Sequence, residues 1–119
     1  MARVLAHRGP DEENIWLSAD GRTGFAHRRL SIIDLTAGGR QPMRHPSGDT
    51  VACYNGEIYN YIELAQRLRG EGATFVSQSD TEVLIEAYRR WGDRFLAELN
   101  GMFSFALHDA KRRRIFAAR

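Results

Sequence analysis

Apolar residues along this chain change their spacing twice. Before residue 60 they come in short runs of strand length, from Tyr61 they recur at helical intervals, and after Gly101 they alternate with polar residues. Ile15 to Ser18 reads as a strand, Ala19-Asp20-Gly21-Arg22 as a hairpin turn and Thr23 to Leu30 as the return strand. Met1 to His7 reads as the last turns of a helix, stopped by Arg8-Gly9-Pro10-Asp11. Residues 34–49, with repeated Gly and Pro, form a loop, and Thr50 to Tyr54 is a strand.

Helical spacing appears where Tyr61, Leu64, Ala65 and Leu68 fall at i, i+3, i+4 and i+7, with Asn60 and Glu63 as a capping pair and Gly70 and Gly72 as the stop. A second helix is capped by Ser79 or Asp80, carries Leu84, Ala87, Tyr88 and Trp91 on one stripe, and ends at Gly92. Phe95 to Leu99 adds a short turn. Phe103, Phe105 and Leu107 then alternate in a strand from Met102 to His108, Asp109 to Arg112 turn, and Arg113 to Ala118 begin a partner strand. Strands flanking a helical pair predict an α+β fold of antiparallel sheets. A last strand with nothing after it is expected of a fragment.

Composition adds limits. With 119 residues, 43% hydrophobic and 27% charged, the chain suits one soluble globular unit. The net charge of +2 is misleading as a clue to an anionic partner. The last nine residues hold five of the 17 basic residues and no acid, so the remaining 12 face 15 acids and the rest of the chain is net −3. One cysteine, no signal-peptide pattern and no apolar run of about 20 residues make a cytoplasmic protein the expectation.

Three polar clusters stand at element ends, where sites are usually built: Arg28-Arg29, Asn55-Gly56-Glu57 and Asp80. Together they suit a free amino acid. A guanidinium forks onto a carboxylate, Asp or Glu accepts from an ammonium, and an amide side chain beside a bare peptide N–H can hold an oxyanion. Each cluster also has a plain reading, as surface arginine, turn or helix cap. His7, His27, His45 and His108 lack metal spacing and read as structural or surface residues. Lys111 to Arg114 reads as a solvated hairpin turn, without the aromatic interleaving of a nucleic-acid surface. Cys53, inside an apolar strand, reads as core.

The motifs HRGPDE (7–12), HRRLSIID (27–34), QPM (41–43), NGEIYNY (55–61), SDTE (79–82) and NGMFSFALHD (100–109), in this order, resemble the glutaminase domain of asparagine synthase. That domain is a class II glutamine amidotransferase of the N-terminal-nucleophile (Ntn) hydrolase type. The resemblance covers essentially the whole chain and implies a partial Ntn-hydrolase sandwich with two main helices. It further implies that Arg29 clamps the glutamine carboxylate beside Leu30 and Ile32. Asn55 and Gly56 would form the oxyanion hole on a strand-to-helix loop, and Glu57 and Asp80 would receive the α-ammonium. The partners implied are L-glutamine and a synthetase domain of the same intact chain using MgATP to amidate aspartate, with a homodimer allowed, and neither nucleic acid nor membrane. No cofactor is implied for residues 1–119 themselves.

One departure from the family pattern is large. Such enzymes use a cysteine at the first position of the processed chain, whose α-amino group, with a pKa of about 7.7–8, serves as general base. Met1 stands here instead, and a thioether has no proton to lose. The expectation is a glutaminase domain truncated at both ends and itself inactive. The rival expectation is a non-catalytic amino-acid-binding or interaction module, and nucleic-acid binding through the basic tail is a distant third.

Overall fold

In the computed structural model the described residues are 2–7, 9, 12–29 and 40–119, without the side chains of residues 2, 5 and 29. They form three layers: a helical pair, a four-stranded sheet and a two-stranded hairpin.

The hairpin joins β1 (Glu12–Leu17) to β2 (Gly24–Arg29), with Glu12 opposite Arg29 and Trp16 opposite Phe25. β1 begins three residues before the apolar run, because Glu12, Glu13 and Asn14 face Arg29, Arg28 and His27 across the ladder. Glu13 forms an ion pair with Arg28, a cross-strand contact of opposite charge that an apolar pattern does not register. At the tip, Asp20 Oδ1 accepts from Ser18 Oγ (2.6 Å) and Arg22 N (3.1 Å).

The larger sheet has the order β3-β4-β5-β6, with β3 Met43–Arg44, β4 Thr50–Ile58, β5 Gly101–Asp109 and β6 Arg114–Ala118. All its neighbours are antiparallel. Alternation sends Ala52, Tyr54, Phe105 and Leu107 to one face, where they join Leu64 and Leu68 of α1 (Tyr61–Gly70) and Leu84, Ala87 and Tyr88 of α2 (Asp80–Trp91) in the core. Phe95 is fully buried at the centre of its aromatic part, 5.7 Å from Tyr88 edge-on and 5.8 Å from Phe105. On the opposite face lies the hairpin: His27 Nε2 donates to Tyr54 O (2.9 Å), and Trp16 packs against His108 with the rings tilted (centroids 5.1 Å apart).

Several expectations change. β4 does not stop at Tyr54. Asn55, Gly56 and Glu57 pair with Ser104, Phe103 and Met102, so the cluster lies inside the strand and not on a strand-to-helix loop. Asn60 does not cap α1 through its side chain. It spans instead to the start of β5, accepting from Asn100 N (3.0 Å) and donating to Glu98 O (2.9 Å). Cys53 is half-buried between sheet and hairpin, with its thiol 4.0 Å from Ala26 O, because alternation turns it away from the helical core. The first helical segment is a short 3₁₀ turn, Ala2–Leu5, and the expected stop after it falls mostly outside the described residues, Gly9 apart.

The basic turn is exposed at Lys111, Arg112 and Arg113, as expected, and three of its four cations are paired. Lys111 Nζ lies 2.6 Å from Asp49, Arg112 reaches Asp109 (3.1 Å), and Arg114 pairs with Asp93. Burial alone would raise the Asp49 pKa, but hydrogen bonds from Lys111, Ser47 and Thr50 and the charge of Arg89 outweigh it and hold the carboxyl well below its ordinary value. A lowered folded pKa gives stability that is complete above the unfolded value of about 3.9 and is lost as pH falls below it. Asp49→Asn should therefore lower the urea midpoint at pH 7 and flatten its decline between pH 5 and pH 3. A variant declining as steeply as the parent would remove Asp49 from that acid response.

Candidate active site

The site begins with α2. Ser79 caps the helix, its Oγ accepting from Thr81 N (3.2 Å). Glu82 binds the preceding loop, its carboxylate accepting from Val76 N (2.8 Å) and Ser77 N (2.7 Å). Asp80 is thereby fixed as the first helical residue, 5% exposed, and points at β4. Its Oδ2 accepts from Tyr54 OH (2.7 Å) and Ile58 N (3.1 Å). This carboxylate ties the helix start to the strand that carries Asn55, Gly56 and Glu57.

Burial, then the hydrogen bond to Asp80, then the charges of Asp80 and Glu57 push the Tyr54 phenol far above its usual range. Two carboxylates from different elements thus lie within electrostatic reach of one hydroxyl. Among the described residues neither Asp80 nor Glu57 has a basic ion-pair partner. Asp80 is satisfied by its two hydrogen-bond donors, and Glu57 is exposed to solvent.

Asn55, Gly56 and Glu57 are exposed and reachable by a ligand. Gly56 has φ 144°, and a Cβ there would lie 2.2 Å from Met102 O and 2.4 Å from Phe103 Cα. Only a residue without a side chain lets β5 approach so closely.

Arg29 ends β2, its backbone opposite Glu12, and its side chain lies outside the described residues, as do Leu30 and Ile32. β2 runs beside β4 with Ala26 against Cys53 and His27 against Tyr54, so continuing along both strands carries Arg29 toward Asn55 and Gly56. The structure joins Asp80 to β4 through Tyr54 OH and Ile58 N, leaves Asn55, Gly56 and Glu57 exposed along the last part of that strand, and sets β2 on the other face of the sheet.

Gln41 has a positioning role that sequence reasoning missed. Buried at the entry to β3, it donates to Thr81 Oγ1 (2.7 Å) and accepts from Tyr54 N (3.0 Å), joining the first turn of α2 to β4. A Gln-Pro pair in a Gly-rich loop carries no local signal for such a bridge. Cys53, the one thiol, has its pKa raised by burial, which disfavours the nucleophilic thiolate. No group of three or more His, Cys, Asp or Glu suited to a metal occurs among the described residues.

The class follows from the whole length of this layered fold of antiparallel sheets and two helices: residues 1–119 match the glutamine amidotransferase domain family, and the chain belongs to it. Within that family it is similar to asparagine synthetase [glutamine-hydrolyzing] 3 of Bacillus subtilis, 45% identical over 100% of this chain and 19% of that protein. It is also similar to a putative asparagine synthetase of Mycobacterium tuberculosis (43% identical, 99% of this chain, 19% of that protein). A third relative is the amidase chry2 of Gibberella zeae (41% identical, 98% of this chain, 17% of that protein). The chain thus spans about a fifth of the length of these relatives. Its fold matches the glutamine phosphoribosylpyrophosphate amidotransferase of B. subtilis, solved with ADP and GMP, with a TM-score of 0.63 and 25% identity over 76% of this chain and 22% of that one. The chain is accordingly a mixed α/β domain of the Ntn-type amidotransferase fold. None of its described helices is long and apolar enough to cross a membrane.

Proposed function

We propose that this domain binds L-glutamine as the ammonia source of an asparagine-synthetase-like amidotransferase, whose remaining part uses MgATP to amidate aspartate. The observation that carries the reading is the pair Asp80 and Glu57 around Tyr54, acidic groups without a basic partner among the described residues, beside an exposed Asn-Gly. The pair would receive the α-ammonium, Arg29 with Leu30 and Ile32 the carboxylate, and Asn55 and Gly56 the oxyanion formed on the side-chain amide.

Attack on that amide requires a thiolate beside a free amine, and Cys53, inside a strand with its thiol pKa raised by burial, does not supply one. No reaction step involves MgATP within these residues.

The test is kinetic, in an intact polypeptide in which a cysteine heads the domain. Asn55→Ala should lower kcat about 10²- to 10³-fold with little change in KM, and Arg29→Ala should mainly raise KM. An unchanged kcat would remove Asn55 from the oxyanion hole. Glutamine binding with no turnover in that polypeptide would favour a non-catalytic amino-acid-binding module.

A further inference from the structure

Tyr54 occupies a core position in β4 that a phenylalanine would fill as well, so its hydroxyl calls for a separate reason. The ring packs between the sheet and the helical pair, and the hydroxyl donates to Asp80 Oδ2 (2.7 Å). The backbone of the same residue is held too. Tyr54 N donates to Gln41 Oε1 (3.0 Å), and Gln41 Nε2 donates to Thr81 Oγ1 (2.7 Å). Thr81 follows Asp80 in the first turn of α2, so these contacts close a ring through Tyr54, Gln41, Thr81 and Asp80. All four residues are buried. A closed network of buried polar groups holds one geometry, because no member can turn without stranding another away from water.

The ring leaves one oxygen open. Ile58 N also donates to Asp80 Oδ2 (3.1 Å), so both donors meet the same oxygen. Oδ1 makes no hydrogen bond to a described residue and stays in contact with solvent. Burial and the bond to Asp80 raise the Tyr54 pKa far above its usual range, so the hydroxyl remains a donor at neutral pH. A freely rotating carboxylate must be ordered when a ligand binds, and that ordering weakens binding. Here the carboxylate is oriented beforehand, with Oδ1 as its available acceptor.

We propose that Tyr54 is a positioning residue for ammonium recognition: it holds Asp80 Oδ2 so that Oδ1 accepts the α-ammonium of an amino-acid ligand, and Gln41 fixes the strand segment that carries it. The inference rests on the glutamine reading above and adds the residues that set the preference for a ligand bearing an α-amine. Neither Tyr54 nor Gln41 needs to touch the ligand for this, since both act through Asp80 and the start of α2.

Calorimetry on the full chain with L-glutamine and with glutaramate, its analogue without the α-amine, reads that role as a ratio of affinities. Tyr54→Phe keeps the ring in the core and removes only the hydroxyl. Glutamine affinity should fall about tenfold while glutaramate affinity stays within about twofold of the parent's, so the preference for the amine is lost. Tyr88→Phe is the matched control. It removes a second buried tyrosine-to-aspartate bond, Tyr88 OH to Asp109 Oδ2 (2.7 Å), and should lower the urea midpoint to a similar degree with the ratio unchanged. Gln41→Met, similar in length but able to make neither bond, should shift the ratio in the same direction as Tyr54→Phe, so the role is read even where Tyr54→Phe fails to fold. An unchanged ratio in these two variants, or equal losses for both ligands, would overturn the positioning role and leave the glutamine reading standing. A parent chain with no preference for glutamine over glutaramate would overturn both.

Discussion

Gly56→Ala should destabilise the domain by about 3 kcal/mol or more, seen as a large drop in the urea midpoint. A methyl at this position would enter the β5 backbone, 2.2 Å from Met102 O and 2.4 Å from Phe103 Cα, and neither atom can give way as the end of a flexible side chain can. The backbone adds to the penalty, since φ 144° is a conformation that alanine rarely adopts. Gly70→Ala is the matching control. It sits at the end of α1 with open space around its Cβ position and should change stability by less than about 1 kcal/mol. The same close approach shapes the proposed oxyanion hole, because it fixes the peptide at Gly56 between two paired strands. A loss below about 1 kcal/mol for Gly56→Ala would mean that β4 bows away from β5 at little cost, and the Gly56 peptide would then be a poorly fixed donor.

Asp80→Ala should cost about 2–4 kcal/mol, because it strips the acceptor from two buried donors at once, Tyr54 OH and Ile58 N. Asp80→Asn distinguishes the two roles of this residue. The amide oxygen can still accept from those donors, so most of the stability should return, but the negative charge offered to an ammonium is gone. The neutral variant should fold and bind glutamine at least about tenfold more weakly. If Asp80→Asn binds glutamine as the parent does, Asp80 is a structural tie between α2 and β4 and no part of the substrate pocket.

The helical pair was legible in the sequence because its signals are local. Leu84, Ala87 and Tyr88 repeat at helical intervals and are buried, and the helix stops at Gly92 as the pattern indicates. The alternation of Phe103, Phe105 and Leu107 likewise gave β5 nearly in full. Asn55-Gly56 misled for a physical reason. The pair is a strong turn signal on its own, and only the ladder with β5, more than 40 residues away, keeps it extended. The two-residue β3 and the Gln41 bridge were invisible for a similar reason, since each exists only through residues distant in sequence. Asp80 was readable as a candidate but not as a buried acceptor. A residue at a helix start has the same sequence signature whether it caps the helix, braces a strand or faces a ligand.

The most direct measurement of the central claim is an amide chemical-shift titration of the full chain with L-glutamine, set beside glutaramate, which lacks the α-ammonium. Saturable shifts are expected, confined to residues 29–32, 55–58 and 79–81, with none at the hairpin tips and at least about tenfold weaker binding of glutaramate. Shifts centred elsewhere, or equal affinity for the two ligands, would contradict it.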